Sequence, residues 1–220
     1  MKIRRRFPAP ICPGLLPRLA RPVARPFADA VAVALALLGL VLVPAAAAAQ
    51  RLCRIDPAHS SVHFSLGDTL HQFGGLFHVT SGDVTFDRAT HKMSGQIVVA
   101  AASGDSGSAA RDKRMKNEEL HAKTFPAITF APASFTGTLA PSGSSRIQVT
   151  GIFTLVGQPH SITVPMTVRI EGSRCTATGT FEVPYIAWGL KDPSIFMIRM
   201  GKEVRIDLSL TGTLTSSSAS

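Results

Sequence analysis

Apolar and polar residues alternate with a period of two along most of the chain after residue 50. Successive side chains of a strand point to opposite faces, so this alternation predicts half-buried strands. "SVHFSL" places Val62, Phe64 and Leu66 on one face and Ser61, His63 and Ser65 on the other. "GLFHVT" continues with Phe77 and Val79, "DVTFD" with Val84 and Phe86, and "KMSGQIVVAA" with Met93, Ile97 and Val99. "AITF" offers Ile128 and Phe130; "RIQVTGIFTL" offers Ile147, Val149, Phe153 and Leu155. "SITVPMTVRI" presents Ile162, Val164, Met166, Val168 and Ile170, "CTATGTFEV" Phe181 and Val183, and "VRIDLSL" Val204, Ile206, Leu208 and Leu210. Turn residues separate these runs at Gly67-Asp68, Ser81-Gly82, Asp87–Thr90, Pro141–Ser145, Gly157–Pro159 and Glu171–Ser173. Many short strands at this spacing predict an all-β sandwich or barrel.

Two features refine that choice. "SAARDKRMKNEELHAKTFP" breaks the alternation and reads as one short helix that stops before Pro126, with Asp105, Ser106 or Ser108 placed to cap its start. Gly95, Gly151 and Gly179 fall on the apolar parity inside strand patterns. Glycines there mark bends, bulges or close approaches to the backbone, which a strongly curved sheet requires. The balance tilts from a flat sandwich to a barrel.

The formal charge of +9 changes the picture little, because residues 1–49 hold seven of the Lys/Arg and one acid, and so six of the nine charges. The remaining sixteen basic residues are interleaved with thirteen acidic ones, which gives no basic face for nucleic acid. The first segment has the layout of a secretory signal: a basic stretch to Arg25, the apolar "ADAVAVALALLGLVLVP" and the small-residue run Ala45–Ala49. Residues 1–50 are therefore expected to be a signal peptide cleaved near Ala49-Gln50, with the alternative that the small and apolar residues 30–49 stay as an uncleaved anchor. Residues 51–220 are expected to form one barrel domain, periplasmic or secreted, large enough for a core of its own. Cys53 and Cys175 remain after cleavage; export allows them to pair, and the sequence leaves open whether they meet.

Three patterns invite catalytic or metal readings. "SGDSGS" at 103–108 carries the Gly-Asp-Ser-Gly of a serine protease around Ser106, yet too few residues precede it for the barrel that would deliver a histidine and an aspartate. A turn that ends one strand and starts the helix explains it better. Asp56, His59 and Ser60 supply triad residue types in "IDPAHS", but neighbours on a strand point to opposite faces. His59 and His63 share a parity and stand roughly 13 Å apart at the strand rise, too far for one metal. The other histidines follow no zinc-binding spacing and read as polar-face residues, so no metal and no cofactor is expected.

Taken in order, "RIDPAHSSVHFSL", "GGLFHVTSGDVTFD", "ARDKRM", "FPAITF", "VTGIFTLVGQPHSITVPM" and "VRIDLSL" resemble the YceI-like family of exported polyisoprenoid-binding proteins. The resemblance runs from about Arg54 to Leu210. It rests on Asp56, His59, Ser60, Gly82, Phe86, Asp87, Arg111, Asp112, Phe125, Pro126, Phe130, Gly151, Gly157 and His160. It implies an extended lipocalin-like antiparallel β-barrel with a short helix and a pocket for a long isoprenoid-type lipid. The chain departs from the family pattern in the short "GDTLHQFGGLF" and in "VPYIAWGLKDPSIFMIRM", which bears on the identity of the ligand.

The residues suit that implication. A barrel interior rich in Phe and β-branched side chains, with no charge among its strand positions, fits an apolar chain at about 0.8 kcal/mol per buried CH₂. Phe64, Phe77, Phe86, Ile97, Phe130, Phe153, Met166 and Phe181 are the expected lining. The leading expectation is a non-enzymatic carrier or scavenger of isoprenoid or other long-chain lipid, with room for a homodimer. The alternatives are a lipid-directed hydrolase using Ser60, Ser106 or His59, and a ligand-free interaction module with a filled barrel.

Overall fold

The computed structural model describes residues 50–67, 72–191 and 201–216. The expected signal segment lies outside them. The alternating runs form strands β1 (Arg51–Ile55), β2 (Ser61–Gly67), β3 (Gln72–Phe77), β4 (Val79–Phe86) and β5 (Met93–Ala100). After helix α1 (Ala109–Arg114) come β6 (Ala127–Thr136), β7 (Gly143–Leu155), β8 (Gln158–Glu171), β9 (Arg174–Val183) and β10 (Val204–Ser216).

All pairings between these strands are antiparallel, in the order β1-β4-β5-β6-β7-β8-β9-β10, and β1 returns to β10 to close the sheet. The thirteen-residue β10 makes closure possible. Its Arg205–Ser209 half pairs with β2 and its Gly212–Ser216 half with β1. Strands β1 and β2 thus act as one broken stave, as do β3 and β4, which continue each other across His78. The result is a closed eight-stave barrel, in agreement with the expected all-β class. Closure removes the exposed edges that an open sheet leaves.

The breaks have local causes. Between β1 and β2, Asp56 accepts a hydrogen bond from the Ala58 N–H, and Pro57 starts a single tight turn. Ser81-Gly82, read as a turn, lies inside β4, where the register with β5 slips by one residue between Val79 and Ser81. The buried Gly82 leaves room for Ile55, whose Cγ1 lies 2.8 Å from where a Cβ would stand. A bulge curves a strand without ending it, which is how glycine in a strand pattern mimics a turn signal. The β7–β8 hairpin turns at Val156-Gly157, not Gly157–Pro159: Leu155 pairs with Gln158, and both turn residues have positive φ, 50° and 72°. That is the two-residue turn whose twist matches antiparallel strands.

Inward-pointing residues from every stave make one apolar interior, including Val84, Ile97, Phe135, Val149, Ile170 and Leu210. Cys53 of β1 and Cys175 of β9 are disulfide-bonded there, which settles the pairing that the sequence left open.

Candidate functional site

Antiparallel order places the ends of β5, β7 and β9 and the starts of β6, β8 and β10 at one rim of the barrel. Helix α1 lies in the connection from β5 to β6 at this rim, and Trp188, shortly after β9, stacks on His160 at the start of β8 there. The disulfide sits toward the opposite end, near the end of β10 and the start of β9. Between the two lies a cavity of about 640 Å³, within the usual range of roughly 300–1,000 Å³ for a small-molecule site. It is lined from Cys53, Leu139 and Ile170 at the disulfide end to Leu190, Met115 and Arg111 at the rim.

All eight residues expected from the alternation border this cavity. They come from β2, β3, β4, β5, β6, β7, β8 and β9, so eight strands converge on one space. Phe64 and Phe77 meet at 5.2 Å between ring centres, and Phe153 meets Phe181 edge-on at 6.0 Å. Gly179 explains how Met166 fits. A Cβ at Gly179 would stand 2.5 Å from the Met166 sulfur, so any side chain there would push the thioether aside.

The expectation of an interior without charge needs correction at the rim. Arg111, Arg114 and Glu119 reach the cavity from α1 and the turn that follows it. Strand parity could not show this, because these residues come from the one segment that is not a strand. The turn Met115–Glu119 is a π-turn, in which the Leu120 N–H reaches back to the Met115 carbonyl at 2.9 Å. The Glu119 side chain is only 14% exposed, and neither carboxyl oxygen has a hydrogen-bond partner. Burial raises its carboxyl above the ordinary range, against the smaller pull of Arg114 and Lys191.

The nucleophile reading of Ser106 meets a different geometry. Its hydroxyl donates to the Asp112 carboxylate at 2.6 Å and accepts from Arg111 Nε at 2.9 Å. The Ser106 N–H also donates to Asp112, and the hydroxyl bond first and this N–H second hold that carboxyl below the usual range. Capping therefore runs backward: Asp112 in the helix ties the preceding turn, while Ser108, at the cap position, makes no side-chain capping bond. Arg111 and Asp112 meet through Ser106, and the Arg111 guanidinium lies 4.9 Å from the centre of the Phe73 ring.

At the broken stave, the Ser60 hydroxyl donates to the Asp56 carbonyl at 2.7 Å and accepts from the Thr211 N–H at 3.1 Å. His59 pairs with Asp56 at 2.7 Å on the exposed surface. These groups fasten the break to β10. His59, His63, His78, His91 and His121 are exposed, and His71 lies outside the described residues. His160 is the exception: it is half-buried and stacks flat on Trp188, ring centres 3.9 Å apart, so reading it as a polar-face residue misses its role at the rim.

The crystal structure of BcnA from Burkholderia cenocepacia is similar to this chain at 27% identity and a TM-score of 0.58, covering 71% of this chain and 98% of BcnA. A domain from Saccharophagus degradans, described as a polyisoprenoid binding domain implicated in plant cell wall breakdown, is similar at 15% identity. Its TM-score is 0.56, over 74% of this chain and 98% of that one; at this identity the likeness speaks to the fold. No curated protein matches the chain. The model of the YceI-like domain matches residues 54–212, from β1 through the last crossing of the barrel, and the chain belongs to the YceI-like domain family.

Proposed function

We propose that this chain is an exported, non-enzymatic carrier or scavenger that holds one long isoprenoid-type lipid, a polyprenyl chain or a quinone tail, inside its barrel. The observation that carries the reading is the hydrocarbon-lined cavity that extends from the rim to the disulfide end. Such a space withdraws an extended apolar chain from water along its length, and each buried CH₂ contributes about 0.8 kcal/mol. The ligand class named for the Saccharophagus degradans domain agrees with that chemistry. A disulfide persists in oxidising compartments, which supports export. The non-enzymatic reading draws support from Ser106 and Ser60, whose hydroxyls are engaged by Asp112 and by backbone carbonyls.

Native mass spectrometry of protein purified from its own cells tests the proposal. The expected spectrum holds a one-to-one lipid adduct. Protein free of lipid, whose melting temperature does not rise with added long-chain isoprenoids, would sink it.

A further inference from the structure

Among the described residues, the charge that borders the cavity is confined to Arg111, Arg114 and Glu119 at the rim. Arg111 is engaged with Ser106 and Phe73. Arg114 and Glu119 are not so well provided for. Arg114 Nε and both Glu119 carboxyl oxygens are shut off from solvent and make no hydrogen bond. Arg114 Nε stands 3.6 Å from Glu118 Oε2 and 3.8 Å from Glu119 Oε1, beyond hydrogen-bond reach of either. Native proteins satisfy almost all buried polar atoms, so a pair left open against a cavity asks for a reason.

The backbone supplies a second observation. Positions five apart on a regular α-helix face different sides. The π-turn over Met115–Glu119 widens the helix by one residue and brings Glu119 round to Arg114. π-turns of this kind are uncommon and concentrate at functional sites.

We infer that Arg114 and Glu119 form the head-group end of the lipid site, and that it selects an uncharged, hydroxyl-bearing end over a phosphorylated one. This rests on the carrier reading above. A single oxygen about 2.8 Å from both groups spans their 3.8 Å separation once the two side chains turn to admit it. That oxygen accepts from Arg114 Nε and donates its proton to the Glu119 carboxyl. A hydrocarbon end leaves both groups unpartnered. A phosphate end satisfies Arg114 but sets its own charge against the Glu119 carboxylate, whose side chain is only 14% exposed.

The test uses a polyprenol, its phosphate and the parent hydrocarbon, all of one chain length, titrated near neutral pH. The readout is the fluorescence of Trp188, the one tryptophan in the chain, whose ring lies 5.9 Å from the cavity residue Phe153. The alcohol is expected to bind about tenfold more tightly than the phosphate or the hydrocarbon, the worth of a hydrogen bond to a charged group. Glu119→Gln is expected to keep the alcohol within about threefold and to bring the phosphate level with it. Arg114→Met is expected to erase the advantage of the alcohol over the hydrocarbon. If all three lipids bind the wild-type protein alike, the head-group inference is overturned while the carrier reading stands. If the phosphate binds best, the inference is likewise overturned. If none of the three binds, the carrier reading falls and this inference falls with it.

Discussion

Cys53 and Cys175 are joined across a strand that belongs to neither of them. Cys53 lies on β1 and Cys175 on β9, and β10 runs between, hydrogen-bonded to both. Gly212 of β10 is paired with Cys175, and the bridge crosses beside it. A Cβ at Gly212 would stand 2.8 Å from the Cys53 sulfur and 2.6 Å from the Arg54 carbonyl oxygen. Glycine therefore makes the crossing possible. The bond also closes a loop of 122 residues, which spans most of the barrel.

Replacing both cysteines by serine is expected to lower unfolding stability by about 2–4 kcal/mol, because a long loop regains its freedom in the unfolded chain. Urea titration of the variant against the wild type checks this. Gly212→Ala is expected to be destabilising even in the cysteine-free protein, since the Arg54 carbonyl remains in the way. Equal midpoints for the cysteine-free protein with and without Gly212→Ala would refute that contact.

Val156 holds a φ of 50° at the β7–β8 turn, a conformation that a β-branched side chain adopts only under strain. Asparagine tolerates it. Val156→Asn is expected to stabilise the protein by about 1 kcal/mol, the strain relieved exceeding the loss of a half-buried valine. A melting temperature below that of the wild type would show that the packing of Val156 outweighs its strain.

Ala177 points from β9 into the cavity. Ala177→Phe is expected to occupy the space that the lipid chain would use. The variant should melt at or above the wild-type temperature, because new apolar surface is buried in open volume. Its affinity for a long-chain isoprenoid should fall by at least about tenfold, or roughly 1.4 kcal/mol. Retained affinity would place the lipid somewhere other than the barrel interior.

Glu119 sets a pH dependence opposite in sign to that of the aspartates. Its carboxyl is raised in the folded protein, chiefly by burial. Its contribution to stability is therefore complete below the unfolded value of about 4.3 and is lost as pH rises through the higher folded value. Asp112 is lowered by its hydrogen bond from Ser106, Asp56 by His59 and Asp207 by Arg205. Their contributions are present above about pH 3.9 and are lost as pH falls through the lowered values. Melting curves of wild type and Glu119→Gln across this range should diverge as pH rises, with the variant the more stable near neutrality. A constant difference between the curves at all pH values would contradict the burial of an ionisable Glu119.

The sequence by itself determined which side of the strands after β1 faces inward. Strand parity is a local property of the backbone, and burial of one face then fixes register, so the eight apolar residues at the cavity wall were legible from alternation alone. Local glycine signals were legible in kind and not in consequence: Ser81-Gly82 proved to be a bulge inside β4, and Gly212 attracted no attention because its partner is a bridge formed by distant residues. Only the tertiary structure decided what met across long separations. Strand β10 had to close on β1 before Cys53 could reach Cys175. The chain between β5 and β6 had to fold back over the rim before Arg114 and Glu119 could border the cavity. Helical charges carry no parity that marks an interior, and the direction in which a helix docks is set by the barrel beneath it. The hydrocarbon wall was therefore written in the period of the strands, and the polar end was not.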